Sequence, residues 1–82
     1  MKSEAEIKKA LRDWIVRKNG KIRAEDLTGE TLIIEERIIT SVQIMDLILF
    51  IEHLTGQSID VTSLKRGVFR NVDTIYQNFF AS

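Results

Sequence analysis

The chain has no cysteine, no proline and a single histidine among its 82 residues, with only four glycines. Without cysteine there is no disulfide framework, no thiolate metal site and no cysteine nucleophile. That composition fits a reducing compartment, and a cytoplasmic location is the expectation. One histidine, His53, cannot supply a zinc-binding pair or the base of a nucleophile–base–orienter trio. The glycines at 20, 29, 56 and 67 are scattered, so no phosphate-cradling loop forms. No run approaches the roughly 18 apolar residues of a membrane span. The opening MKSEAEIKKALRDW carries acids and lacks an apolar core, so it does not read as a signal peptide. Twelve basic side chains balance twelve acidic ones, which argues against a nucleic-acid partner. Neither a metal site nor a catalytic group emerges, and the chain is not expected to be an enzyme.

A chain this short is expected to be one domain over residues 1–82 and a monomer. At this size only about 60% of the unfolded surface is buried on folding, so nearly every apolar residue is needed for packing. The balanced charge hides an asymmetry. Residues 1–23 hold eight basic groups against three acidic, residues 24–64 hold eight acidic against Arg37 alone, and residues 65–82 hold three basic against Asp73. An acidic middle between basic ends suits an oriented docking surface, and it equally suits an ordinary solvated exterior.

Helical spacing predicts a first helix over Glu4–Lys18. Ser3 is its cap, Glu6 completes a capping box, and Ile7, Leu11, Trp14 and Ile15 form its apolar stripe. Asn19 and Gly20 stop it. Residues 20–40 lack a clean period yet hold Leu27, Leu32, Ile33, Ile34, Ile38 and Ile39, so this long loop is expected to lie across a core. A short strand at Leu32–Glu35 is compatible with propensity but has no second strand to pair with. A second helix is predicted over Val42–Thr55 with Ser41 as N-cap and Gly56 past its end. A short third helix or turn fits Thr62–Arg66, capped by Asp60 or Thr62. A last helix fits Val72–Phe80, capped by Asn71. The expected fold is therefore all-α: a small four-helix bundle of three main helices and one short one, with a long loop between helices one and two.

The second helix has more apolar surface than one core needs. At roughly 100° per residue, Ile44, Leu47, Ile48, Ile51 and Leu54 gather on one face, flanked by Phe50. Gln43, Asp46 and His53 lie opposite, and so do Val42, Met45 and Leu49, at i, i+3 and i+7. Two readings stand: Ile38 or Ile39 of the long loop covers this second stripe, or it stays open as a partner surface, a role that suits the adaptable thioether of methionine.

Thr31–Val42 reads T-L-I-I-E-E-R-I-I-T-S-V, followed by Q-I-M-D-L-I-L-F-I-E-H-L-T-G-Q-S-I-D and then L-K-R-G-V-F-R-N-V-D-T-I. This linked series resembles the acyl carrier protein family. Its members commonly read D-x-T-x-L-I-E-x-G-x-L-D-S-L, then an apolar helix with a glycine stop and a final F-x-T/N-V-x-x-I helix. The resemblance spans roughly Leu27 to Ile75 in order and spacing, and no single piece of it is specific alone. It implies that Ser41 is esterified with 4'-phosphopantetheine from coenzyme A, the cofactor on which such carriers hold acyl or aminoacyl groups as thioesters. It also implies partners: a phosphopantetheinyl transferase, and acyl-loading and acyl-processing enzymes of the fatty-acid or polyketide kind. Val42, Met45 and Leu49 match the family's apolar partner contacts, and Asp46 and Glu52 match its acidic ones. Three positions depart from the pattern. Thr40 stands for the usual Asp, Val42 for Leu, and Arg37 for Gly. Loss of that Asp leaves a second reading open, an unmodified carrier-like interaction module using the helix 42–55 surface.

Overall fold

The computed structural model describes residues 3–65 and 67–81. Three α-helices carry the fold: α1 (Glu4–Asn19), α2 (Ser41–Thr55) and α3 (Val72–Phe79), with single 3-10 turns at Ala24–Asp26 and Val61–Ser63. No strand occurs among the described residues.

The caps explain where the helices begin and end. The Ser3 hydroxyl accepts from the Glu6 N–H at 3.2 Å, and Asn71 Oδ1 accepts from the Thr74 N–H at 2.7 Å. Each satisfies one of the N–H groups a helix start leaves unpaired. Gly20 and Gly56 close α1 and α2 in the left-handed conformation, at φ 76° and 72°, where glycine meets no Cβ penalty. The expected short helix over Thr62–Arg66 is instead the one turn Val61–Ser63, and Arg66 lies outside the described residues. Asp60 holds that turn by accepting from the Thr62 N–H and from the Thr62 and Ser63 hydroxyls. With its cap so local and so short, the segment stops after one turn.

One apolar cluster ties the helices to the long loop. Leu11, Trp14 and Ile15 of α1 meet Leu47 and Ile51 of α2 and Val72 and Ile75 of α3. Leu27, Ile33, Ile38 and Ile39 of the loop are buried in the same cluster, as the apolar content of that loop led us to expect. Residues 32–35 turn rather than extend, because Glu36 N–H bonds back to Leu32 O and Arg37 N–H to Ile34 O, at 3.0 Å each. With no partner strand to take those groups, the backbone satisfies itself locally.

The loop is also stitched to α3. Ile33 N–H donates to Arg70 O and Asp73 N–H to Gly29 O, both at 3.0 Å. Gly29 sits so close to the Asp73 carboxylate that a Cβ there would collide with it. Asp73 in turn takes Lys8 of α1 at 3.0 Å, and Lys8 also pairs with Glu4 at 2.7 Å. Hydrogen bonds to Glu4 and then to Asp73 hold the Lys8 ammonium above its usual range. Loop, α1 and α3 thus form the rear of the molecule, and α2 is left with one side free.

Candidate functional site

The free side of α2 begins at Thr40 and Ser41. Thr40, not Ser41, is the N-cap: its backbone is extended at φ −85°, ψ 166°, and its hydroxyl accepts from the Gln43 N–H at 3.3 Å. Gln43 Oε1 returns the bond by accepting from the Thr40 N–H at 3.0 Å, completing a capping box. Ser41 is therefore the first residue of the helix and not its cap. The physical reason was present in the sequence. Thr40 and Gln43 have the T-x-x-Q spacing of a capping box, and Thr is a preferred N-cap, only somewhat weaker than Ser. The shift has a chemical consequence. A capping hydroxyl is committed to the backbone, whereas the exposed Ser41 hydroxyl enters no hydrogen bond among the described residues.

The backbone leading into Ser41 is held from several sides. Asn19, at the end of α1, donates through Nδ2 to Ile38 O at 3.0 Å and accepts the Lys21 and Ile22 N–H groups on Oδ1. Gln43 Nε2 reaches Lys18 O at 3.4 Å, and the Lys18 ammonium meets the Asp46 carboxylate at 3.4 Å. Trp14 of α1 stacks on Phe50 of α2 with ring centroids 5.5 Å apart. These contacts fix the end of α1 against the start of α2. Asn19 and Gln43 carry positioning roles that the apolar period does not reveal, since they join segments far apart in the chain.

Arg37 has φ 59°, the only non-glycine residue in the left-handed region among the described residues. That conformation costs a residue with a Cβ about 1 kcal/mol or more. It falls at the position where the carrier pattern places glycine, four residues before the serine.

The second stripe of α2 is open. Val42, Met45 and Leu49 are 81%, 55% and 61% exposed, whereas Leu47, Ile48 and Ile51 are buried. Ile38 and Ile39 do not cover it; both turn into the core. Met45, Asp46 and Leu49 therefore share the outer side with Ser41 and Val42. Glu52 is partly buried, and its Oε2 accepts from the Ile59 N–H at 2.6 Å, so this carboxylate ties α2 to the segment that follows it. His53 is exposed.

The first turn of α2 carries no acidic residue. The N–H groups of Ser41 and Val42 enter no hydrogen bond among the described residues. An anion attached at Ser41 would meet unpaired donors and the positive end of the helix dipole, with no carboxylate in that turn to repel it. An open cleft of about 550 Å³ lies against the inner side of α2, lined by Ile34, Ile44, Leu64, Val68 and Phe69 together with Glu35, Lys65 and Arg70. Ser41 does not line it. No group of three or more potential metal ligands occurs among the described residues, and none of their helices is long and apolar enough to cross a membrane. Comparison with protein-family models, with curated proteins and with solved structures finds no significant match to this chain.

Proposed function

We propose that the protein is an acyl or aminoacyl carrier of the acyl carrier protein type, cytoplasmic, in which the Ser41 hydroxyl is the attachment point for 4'-phosphopantetheine. The observation that carries this reading is the uncommitted, exposed Ser41 hydroxyl at the first position of α2, freed from capping by Thr40 and set beside an exposed apolar stripe. Attachment forms a phosphoester on Ser41 Oγ and breaks the pyrophosphate link of coenzyme A. The adenosine bisphosphate leaves, and the hydroxyl proton passes to a base of the transferase. The residues of this chain suit the group: the unpaired Ser41 and Val42 N–H groups would lie near a phosphodiester attached to Ser41, and no carboxylate stands in the first turn. Once attached, the group supplies the thiol that this cysteine-free chain lacks.

Two further observations support the register of the resemblance. Arg37 adopts a glycine-like backbone where the family has glycine, and the Val61–Ser63 turn overlaps the short helix expected between the second helix and the last. The fold that goes with the proposal is a carrier-type bundle with that helix reduced to one turn. Val42, Met45 and Leu49 then form the surface that transferase and acyl-processing enzymes grip, with Asp46 and Glu52 at its flanks.

Intact mass tests this directly. The full chain incubated with coenzyme A and a panel of phosphopantetheinyl transferases should gain one phosphopantetheine, and Ser41→Ala should gain none while Thr40→Ser keeps the gain. An unchanged mass with every transferase, and in protein taken from its own source, would leave an unmodified interaction module built on the same face of α2.

A further inference from the structure

The cleft on the inner side of α2 belongs to none of the roles assigned so far. Ser41 does not line it, and neither do Val42, Met45 and Leu49. Its walls are Ile34 and Glu35 of the loop, Ile44 of α2, and a third side formed by Leu64, Lys65 and residues 67–70. The fold holds these walls in place. Ile33 N–H donates to Arg70 O at 3.0 Å and ties the loop to the third side. Gly67, at φ 86°, turns that third segment, and Arg70 N–H bonds to Gly67 O at 3.1 Å. Phe69 is braced by stacking on Phe79, with ring centroids 5.6 Å apart.

Small-molecule sites are mostly apolar concavities of roughly 300–1,000 Å³ with a few charged groups that fix orientation. This cleft has that form: about 550 Å³, with Ile44, Leu64, Val68 and Phe69 set against Lys65, Arg70 and Glu35. None of these three charged groups enters an ion pair among the described residues. Two cations on one wall outnumber the single carboxylate on another, so the rim favours an anionic head over a cationic one. We propose that the cleft binds a free carboxylic acid with a short apolar body, held without any covalent link. The apolar part lies on Ile44, Leu64, Val68 and Phe69, and the carboxylate meets Lys65 and Arg70, whose planar guanidinium matches a carboxylate fork. A chain bound as a thioester has no such charge. The occupant is therefore distinct from any group attached at Ser41, and the proposal does not rest on the carrier reading.

The test uses the full chain carrying Ser41→Ala, which leaves no attachment point there, titrated with sodium octanoate. The methyl resonances of Ile34, Ile44 and Val68 should shift saturably, while those of Val42, Met45 and Leu49 on the outer side stay still. Octan-1-ol and octylammonium keep the chain and change the head, and each should bind about threefold or more weaker than octanoate. Lys65→Gln and Arg70→Gln should each weaken octanoate about twofold to fivefold, as exposed ion pairs do, with unchanged melting temperatures and no effect on octan-1-ol. Glu35→Gln should tighten octanoate. Raising sodium chloride from about 50 mM to about 500 mM should shrink the preference for octanoate over octan-1-ol, because screening removes only the charged part. Octan-1-ol binding as tightly as octanoate overturns the proposal, and so does octanoate binding that survives loss of both Lys65 and Arg70. Shifts confined to the outer row of α2, or no saturable shift at all, overturn it too. None of these results touches the carrier reading, which stands or falls on the mass gain at Ser41.

Discussion

The two sides of α2 use the same chemistry for opposite ends. Leu47 and Ile51 face in and are fully buried, while Met45 and Leu49, two residues before each, face out into water. The inner side has a reason in the energetics of a small domain, which needs every apolar residue it can bury. The outer side has no such reason, because the loop that could cover it sends Ile38 and Ile39 into the core. Side chains that add nothing to packing and remain apolar point to a role in contact with something else. The contrast repeats at the N-terminus of α2. Thr40 is committed to the fold through its capping box, and Ser41, one residue on, is committed to nothing.

The sharpest way to break the comparison is to truncate one residue from each side. Leu47→Ala should lose about 2–5 kcal/mol of unfolding free energy, because it empties a site surrounded by α1, the loop and α3. Met45→Ala should stay within about 0.5 kcal/mol of the parent, as an exposed substitution does. Urea titrations of the two variants measure both. A comparable loss at Met45 would mean that the outer row is packed in solution and that the face is closed.

A smaller effect separates the two hydroxyls. Thr40→Ala should cost about 1 kcal/mol, since it leaves the Gln43 N–H without its acceptor. Ser41→Ala should cost less than about 0.5 kcal/mol, its hydroxyl having no internal partner. Reversal of this order in thermal melts would return the capping role to Ser41 and remove the argument that its oxygen is free.

The backbone before the site can be probed in the opposite direction. Arg37 holds a left-handed conformation at φ 59°. Arg37→Gly relieves the Cβ strain there but adds freedom to the unfolded chain. The balance should be a gain of up to about 1 kcal/mol. A loss would show that the Arg37 side chain supports the loop by contacts that outweigh its strain.

Much of this arrangement is legible from the residues alone, and most of what is not turns on contacts between distant segments. The caps at Ser3 and Asn71, the glycine stops and the inward row of α2 all follow from local spacing, which a single helix turn decides. Whether Val42, Met45 and Leu49 stay exposed is open in the sequence because it depends on where Ile38 and Ile39 turn, a tertiary matter. The same holds for Lys18, whose bond to Asp46 spans the gap between two helices, and for Glu52, whose acceptor role requires the chain to fold back after Gly56. The misplaced cap is a different case. Thr40 and Ser41 both suit the position, and only the Gln43 partner three residues after Thr40 separates them. The Val61–Ser63 turn is shorter than the spacing suggested, because Asp60 saturates it within three residues.

The smallest effect contrasts the two ends of α2 by pH. The cap at Thr40 and Gln43 has no titrating group, so acid leaves it alone. The turn after α2 depends on Asp60, whose carboxylate is held below its ordinary value of 3.8 by hydrogen bonds from the Thr62 hydroxyl, the Ser63 hydroxyl and the Thr62 N–H. A depressed folded-state value means that Asp60 contributes its full stabilisation above about pH 4 and loses it as the pH falls through the folded-state value. Because the group lies in open water, the effect on global stability is slight, and the local signal is the better readout. The Thr62 amide resonance should move with a midpoint below the ordinary carboxylate value in the parent, and the movement should vanish in Asp60→Asn. The Gln43 amide should show no such titration. Movement of the Gln43 amide with an acidic midpoint would mean that a carboxylate reaches the start of α2 and that the cap is not free of titrating groups.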